Sequence, residues 1–186
     1  MTKKTANWRL LGGGGLVLGG LLWAIGAILA MAGGGAASGW LSAIGLLVVG
    51  VAHLFVAFGE TGSNGAVGAS GWGKVVLVAA ALGWVLLGVV GIIGQVSGSA
   101  PSWLSTVGIV LALVGGILSA IAIFGRGVAK GIAKWAMFVP VILAAVFYLL
   151  GLAGMSAGYE WLGIVVAVTF LLTGLAYLFN KMDVGK

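Results

Sequence analysis

Leu10-Leu-Gly-Gly-Gly-Gly-Leu-Val-Leu-Gly-Gly-Leu-Leu-Trp-Ala-Ile-Gly-Ala-Ile-Leu-Ala-Met-Ala32 contains no charged residue and no proline. Crossing the hydrocarbon core of a bilayer takes ~20 apolar residues at the helical rise, and unpaired backbone groups in lipid cost several kcal/mol each, so such a stretch must be helical. Five more stretches of this kind follow, at Trp40–Phe58, Val75–Gly94, Trp103–Phe124, Trp135–Met155 and Trp161–Phe179. The expected fold is an all-α integral membrane protein of six transmembrane helices, one membrane domain over residues 1–186. Secretory leaders also place basic residues before an apolar core, as Lys3, Lys4 and Arg9 do here. Their core is ~7–15 residues, shorter than this one.

Composition agrees with the spans. Of 186 residues 62% are hydrophobic and 6% charged, against about a quarter charged in soluble domains, and the mean hydropathy is +1.27. The connections hold turn formers: Gly33 to Gly35 with Ser38, then Gly62 to Gly65, Ser97 to Pro101, Gly125 to Gly131, and Ser156 to Gly158. Connections this short make sequential helices antiparallel neighbours.

The formal charge is +6, yet the cations are scattered singly between apolar runs, which points to topology and not to nucleic acid. Lys3, Lys4, Arg9, Lys74, Arg126, Lys130, Lys134, Lys181 and Lys186 all fall on one side of the threading, and the opposite loops carry only Glu160. The positive-inside rule therefore places both termini in the cytoplasm of a cell with the chain in its plasma or inner membrane. The bilayer is the first partner implied, and Arg126, Lys130 and Lys134 meet its anionic headgroups.

A threefold repeat runs through the chain. Trp8, Trp72 and Trp135 precede or begin the odd spans, while Trp40, Trp103 and Trp161 begin the even ones. The even spans also end alike, in Gly50 to Phe58, Gly116 to Phe124 and Gly174 to Phe179. Three hairpins, at about 8–58, 72–124 and 135–180, follow from this pattern, related by an axis along the membrane normal. Indole favours the headgroup interface, which accounts for these six tryptophans. Trp23 and Trp84 fall mid-span and are expected to pack as core or lipid-facing bulk.

Thirty-six glycines would weaken soluble helices by ~1 kcal/mol each against alanine. In lipid, small residues instead let helix backbones approach closely. Gly15 with Gly19, Ala112 with Gly116, Gly154 with Gly158, and the run Gly88, Gly91, Gly94 have this spacing. Tight packing within or between protomers is expected, with a second copy or another membrane protein as partner. Pro140 has no N–H for the carbonyl of Ala136, so the fifth span is expected to bend there.

Candidates for chemistry are few: one histidine, three acidic residues and no cysteine. That excludes disulfides, thiolate nucleophiles and Cys-ligated metal. Glu60, Glu160 and Asp183 cannot join His53 within the membrane, and no span contains a lysine, so neither an enzyme nor a cofactor site is expected. His53 is an ionisable residue well inside a span, a functional candidate by that fact. Ser119 and Tyr177 hold the matching position in the other two hairpins, so the three form a candidate polar site, with Glu60 and Asn64 at the exit of the second span.

The Trp-led, Gly-punctuated hairpins, with Trp40-Leu41, Gly50 and Phe58 in the second helix, resemble the HdeD family of small six-helix bacterial membrane proteins. That resemblance implies a non-enzymatic, stress-linked or structural protein of the inner membrane and carries over no site residues. A second resemblance is to SatP-like acetate/succinate uptake transporters, through Asn7, Leu11, Gly12 and Gly15, Gly50 to His53 with Glu60, Asn64 and Gly68, and Trp161-Leu-Gly163. It implies a channel-like path for a small carboxylate. The Asn-Pro-Ala signature of that family is absent, since Trp8 and Arg9 follow Asn7.

Overall fold

The structure, a computed structural model, describes residues 8–59, 65–126, 128–153 and 161–179. Six helices among them are long and apolar enough to cross a membrane: Arg9–Met31, Gly35–Phe58, Gly71–Ser97, Ser102–Gly125, Ala133–Gly151 and Trp161–Leu178. The first is a π-helical turn, Arg9–Gly13, running into α1, Gly14–Met31. Next come α2 (Gly35–Phe58), α3 (Gly71–Ser97) and α4 (Ser102–Arg126). The fifth span is broken into α5 (Ala133–Ala136) and α6 (Phe138–Leu152), and α7 is Trp161–Leu178.

Two helix starts lie upstream of where apolarity alone begins. The second helix opens at Gly35, five residues before Trp40, because Gly33 and Gly34 suffice for the turn and Gly33 takes φ +78°, a backbone region open to glycine. Ser38, expected in the loop, is inside the first turn and donates to the carbonyl of Gly35 at 2.6 Å. The third helix opens at Gly71 because Ser70 caps it, accepting from the Gly73 amide at 3.0 Å. Between these helices, Ala66 and Val67 are buried, and the Ala66 amide donates to the Val56 carbonyl at 2.7 Å. The connection thus folds back and satisfies one of the carbonyls left over at the end of α2.

Pro140 produces the break in the fifth span. The helix is interrupted at Met137, and the carbonyl of Ala136, deprived of its proline donor, lies 2.9 Å from the Thr173 hydroxyl of α7. That hydroxyl also lies 2.8 Å from the carbonyl of Thr169. With one hydrogen to give, it serves one carbonyl at a time.

Sequential helices are antiparallel neighbours, and α1 also packs along α7, which closes the six spans into a ring. Glycines on two faces of the first span set these contacts. A Cβ on Gly15 would come within 2.8 Å of Ala52, and one on Gly19 within 2.8 Å of the Gly45 carbonyl, so this face lies against α2. A Cβ on Gly13 would come within 2.9 Å of the Gly174 carbonyl, and one on Gly20 within 2.7 Å of the Ala167 carbonyl, so the other face lies against α7. Gly88 and Gly91 face Ala43 of α2 in the same manner, Gly116 faces Val141, and a Cβ on Gly94 would meet nothing. Gly154 and Gly158 lie outside the described residues.

The ring is uneven: α6 touches α4 and α7 much less extensively than α1, α2, α3 and α4 touch one another in sequence. Outward faces are apolar as lipid requires, with Leu18, Ile25, Val75, Leu82, Val114 and Leu149 exposed. Described cations gather where α2, α4 and α7 end. The Arg9 guanidinium donates to the carbonyls of Tyr177 and Leu178 at 3.2 and 2.5 Å, Lys74 lies over the Phe58 ring at 5.7 Å, and Lys134 over the Phe124 ring at 4.1 Å.

Candidate functional site

Uniformly apolar helices give no outward sign of which side faces inward, so the inner face is defined by burial. His53 of α2, Ser119 of α4 and Tyr177 of α7 are all completely buried. Each therefore points away from lipid, and the hydrogen bonds of His53 and Ser119 stay within their own helices. The His53 Nδ1 lies 2.8 Å from the carbonyl of Val49, and since a carbonyl only accepts, Nδ1 carries a proton. The Ser119 hydroxyl donates to the Gly115 carbonyl at 2.6 Å. The Tyr177 hydroxyl and the His53 Nε2 have no hydrogen-bond partner among the described residues. No hydrogen bond among the described residues joins the three side chains. Glu60 and Asn64, the expected exit residues, lie outside the described residues, as do Glu160 and Asp183.

Two of the three make aromatic contacts, each in its own group. Phe170 and Tyr177 are seven residues apart, two turns on one face of α7. Phe170 meets His53 at 6.0 Å, Tyr177 meets the edge of Trp8 at 5.3 Å, and on its other side Phe170 meets Trp84 edge-on at 5.0 Å. Trp23 adds contacts to Trp84 at 5.9 Å and to Phe170 at 6.2 Å. Two aromatic groups result: Trp8 with Tyr177 at the end bearing Arg9, and a column of His53, Phe170, Trp84 and Trp23 at the middle of the ring, with α7 contributing to both. Edge-to-face pairs of this kind contribute about 0.5–1.5 kcal/mol each beyond their buried area.

Trp8 corrects one expectation. Trp40, Trp72, Trp103, Trp135 and Trp161 are well exposed, as interfacial anchors would be, but Trp8 is 1% exposed and packs on Tyr177. Its indole Nε1 has no partner among the described residues, and the same holds for Trp84. Trp84 is buried in the core, so of the two roles expected of it, core and lipid-facing, it takes the first.

Above the column, toward the end of the bundle away from Arg9, the ring encloses a cavity of about 420 Å³. Every span contributes to its wall: Trp23 from α1, Leu46 from α2, Trp84 from α3, Leu113 from α4, Phe147 from α6 and Val166 from α7. The walls are almost wholly apolar, the side-chain polar groups being the two indole nitrogens and the Tyr148 hydroxyl. No charged residue lines it, and among the described residues no three His, Cys, Asp or Glu side chains gather into a metal-binding group.

The sequence pointed to Trp23 and Trp84 as out of place for interfacial tryptophans but gave no sign of the space between them. Phe170 and Thr173 were not singled out. Their signals were present: Phe170 stands two turns from Tyr177, and Pro140 required a donor for Ala136 from some neighbouring helix.

Six apolar spans closed around an aromatic column, with an oil-like chamber in the other half, are the make-up of a multi-pass membrane protein. No family model, curated protein or solved structure matches the chain.

Proposed function

We propose that this chain is a non-enzymatic, multi-pass protein of the plasma or inner membrane, of HdeD-like type, acting through contacts with a second copy or another membrane protein. In this reading both termini are cytoplasmic, and the six spans are three hairpins of one ancestral kind. The observation that carries it is the dry interior. A solute such as acetate needs polar groups along its route, because a charge at the bilayer centre costs several kcal/mol or more. The chamber is apolar, and the Trp84–Phe170–His53 column stands between it and the Arg9 end. Glycine-mediated backbone contacts of α1 with α2 and α7 support a packing role for small residues. The hairpin repeat gains support from Phe58 and Phe124, each in the last turn of the second helix of its hairpin and each under the lysine at the start of the next helix.

The competing reading is a channel or transporter for a small monocarboxylate. It is favoured by the His53 Nε2 and the Tyr177 hydroxyl, buried polar atoms with no partner among the described residues. Uptake of labelled acetate into proteoliposomes, alongside a His53→Ala variant, separates the two. Flux no higher than in empty vesicles is expected; flux above them that the His53→Ala variant loses would establish transport instead.

A further inference from the structure

The chamber is a site in its own right. Its volume of about 420 Å³ falls among small-molecule sites, ~300–1,000 Å³. Apolar cavities do not hold water, and they take up apolar guests when these can reach them. Access is set by the uneven ring: α6 is thinly packed against α4, and the wall residues on that side, Leu113 of α4 with Phe147 and Tyr148 of α6, are half-buried. The solvent outside that seam is lipid, given six spans of this hydropathy.

A guest with a polar body has nothing to hold it, since the walls offer no charge and few donors. A hydrocarbon chain needs no directional partner and matches the leucine, valine and ring surfaces of the walls. The aromatic column of Trp84 and Phe170 closes the bottom, so a chain entering from the seam would end there and not pass through. We propose that the chamber binds one long acyl chain, drawn from the bilayer between α4 and α6. The source is a free fatty acid or one tail of a phospholipid, and the chemistry recognised is the same. This proposal is independent of the reading above: acetate flux would overturn that reading and leave this one standing.

Two substitutions at the wall are chosen to fill the chamber. Ala144 is a wall residue, and Gly151 is a wall residue where an added Cβ would meet nothing. Gly94 also has open space around it but is not part of the wall. Wild type, Ala144→Phe, Gly151→Phe and Gly94→Phe would be delipidated in detergent, checked for folding by circular dichroism, and examined by native mass spectrometry. One arm adds stearate, the other a distearoyl phosphatidylcholine. Wild type and Gly94→Phe are expected to carry one adduct per protomer, and the two filled variants to lose it. An adduct in the stearate arm assigns a free fatty acid; one only in the phosphatidylcholine arm assigns a phospholipid tail. The proposal is overturned if folded wild type binds neither, or if folded Ala144→Phe and Gly151→Phe bind as wild type does.

Discussion

The hydroxyl of Thr173 lies 2.9 Å from the carbonyl of Ala136, the group that Pro140 leaves without a donor one turn into the fifth span. A carbonyl freed by proline in one helix thereby has a donor within reach on another. Interhelical hydrogen bonds in membrane proteins average ~0.6 kcal/mol with a ceiling near ~1.7. Thr173→Val, which keeps the shape and removes the donor, should lower unfolding stability in mixed micelles by about 1 kcal/mol. Pro140→Ala restores the backbone N–H, and in that background Thr173→Val should cost little. Equal costs in both backgrounds would show that the two residues are not coupled.

The glycine faces of the first span predict a second pattern. A Cβ on Gly20 would lie 2.7 Å from both the carbonyl of Ala167 and the amide of Leu171, backbone atoms that cannot yield without moving α7, whereas a Cβ on Gly14 would meet nothing. Gly20→Ala should therefore destabilise the protein by about 1–3 kcal/mol, in the range of overpacked cores. Gly14→Ala should be neutral or slightly stabilising. Thermal unfolding in detergent distinguishes them, and a neutral Gly20→Ala would mean that α1 and α7 are not in the contact described.

These contacts mark the limit of what the sequence could tell. The spans were legible because a continuous apolar run can hide its backbone in lipid within a single segment only as a helix, and the breaks between apolar runs are sharp. The inner face was not. In water the buried stripe of a helix stands out as apolar against polar, but here Leu18, turned outward, and Leu16, completely buried, are the same residue type in the same helix. Small residues were the remaining guide, and they identified Gly15 and Gly19 without saying that Gly13 and Gly20 face a different neighbour. Trp8 was misplaced for the same reason: its position at a span end suits both an interfacial anchor and a plug, and only the approach of Tyr177 decides between them. His53, Ser119 and Tyr177, named from sequence as a candidate polar site, are all buried, and an ionisable or hydroxyl group turned to lipid is costly. The hydrogen bonds of His53 and Ser119 within their own helices depended on distances no spacing rule supplies.

Arg9 yields a third prediction. Sequence assigns it to topology, but its guanidinium also donates to the carbonyls of Tyr177 and Leu178, groups that the end of α7 leaves unpaired. A cation at a helix C-terminus is further favoured by the helix dipole. Arg9→Met keeps a long apolar stem and removes the donors. Stability should fall by about 1–2 kcal/mol, the scale of hydrogen bonds from charged groups. Hydrogen exchange should quicken at the amides of the last turn of α7, with the earlier turns unchanged. Unaltered exchange there would show that the contact contributes nothing.

Threading can be tested directly because the chain has no cysteine, so one introduced thiol is unambiguous. Ser99 is exposed in the connection between α3 and α4. Gly71 is exposed at the opposite end of α3, where an added side chain would meet nothing. The threading expected from sequence puts the nine Lys and Arg on the Gly71 side, and the proposed orientation makes that side cytoplasmic by the positive-inside rule. A membrane-impermeant maleimide applied to intact cells should therefore label Ser99→Cys and spare Gly71→Cys. Permeabilised cells should give labelling of both. The opposite pattern would invert the orientation, while labelling of both thiols in intact cells would mean that α3 does not cross the membrane.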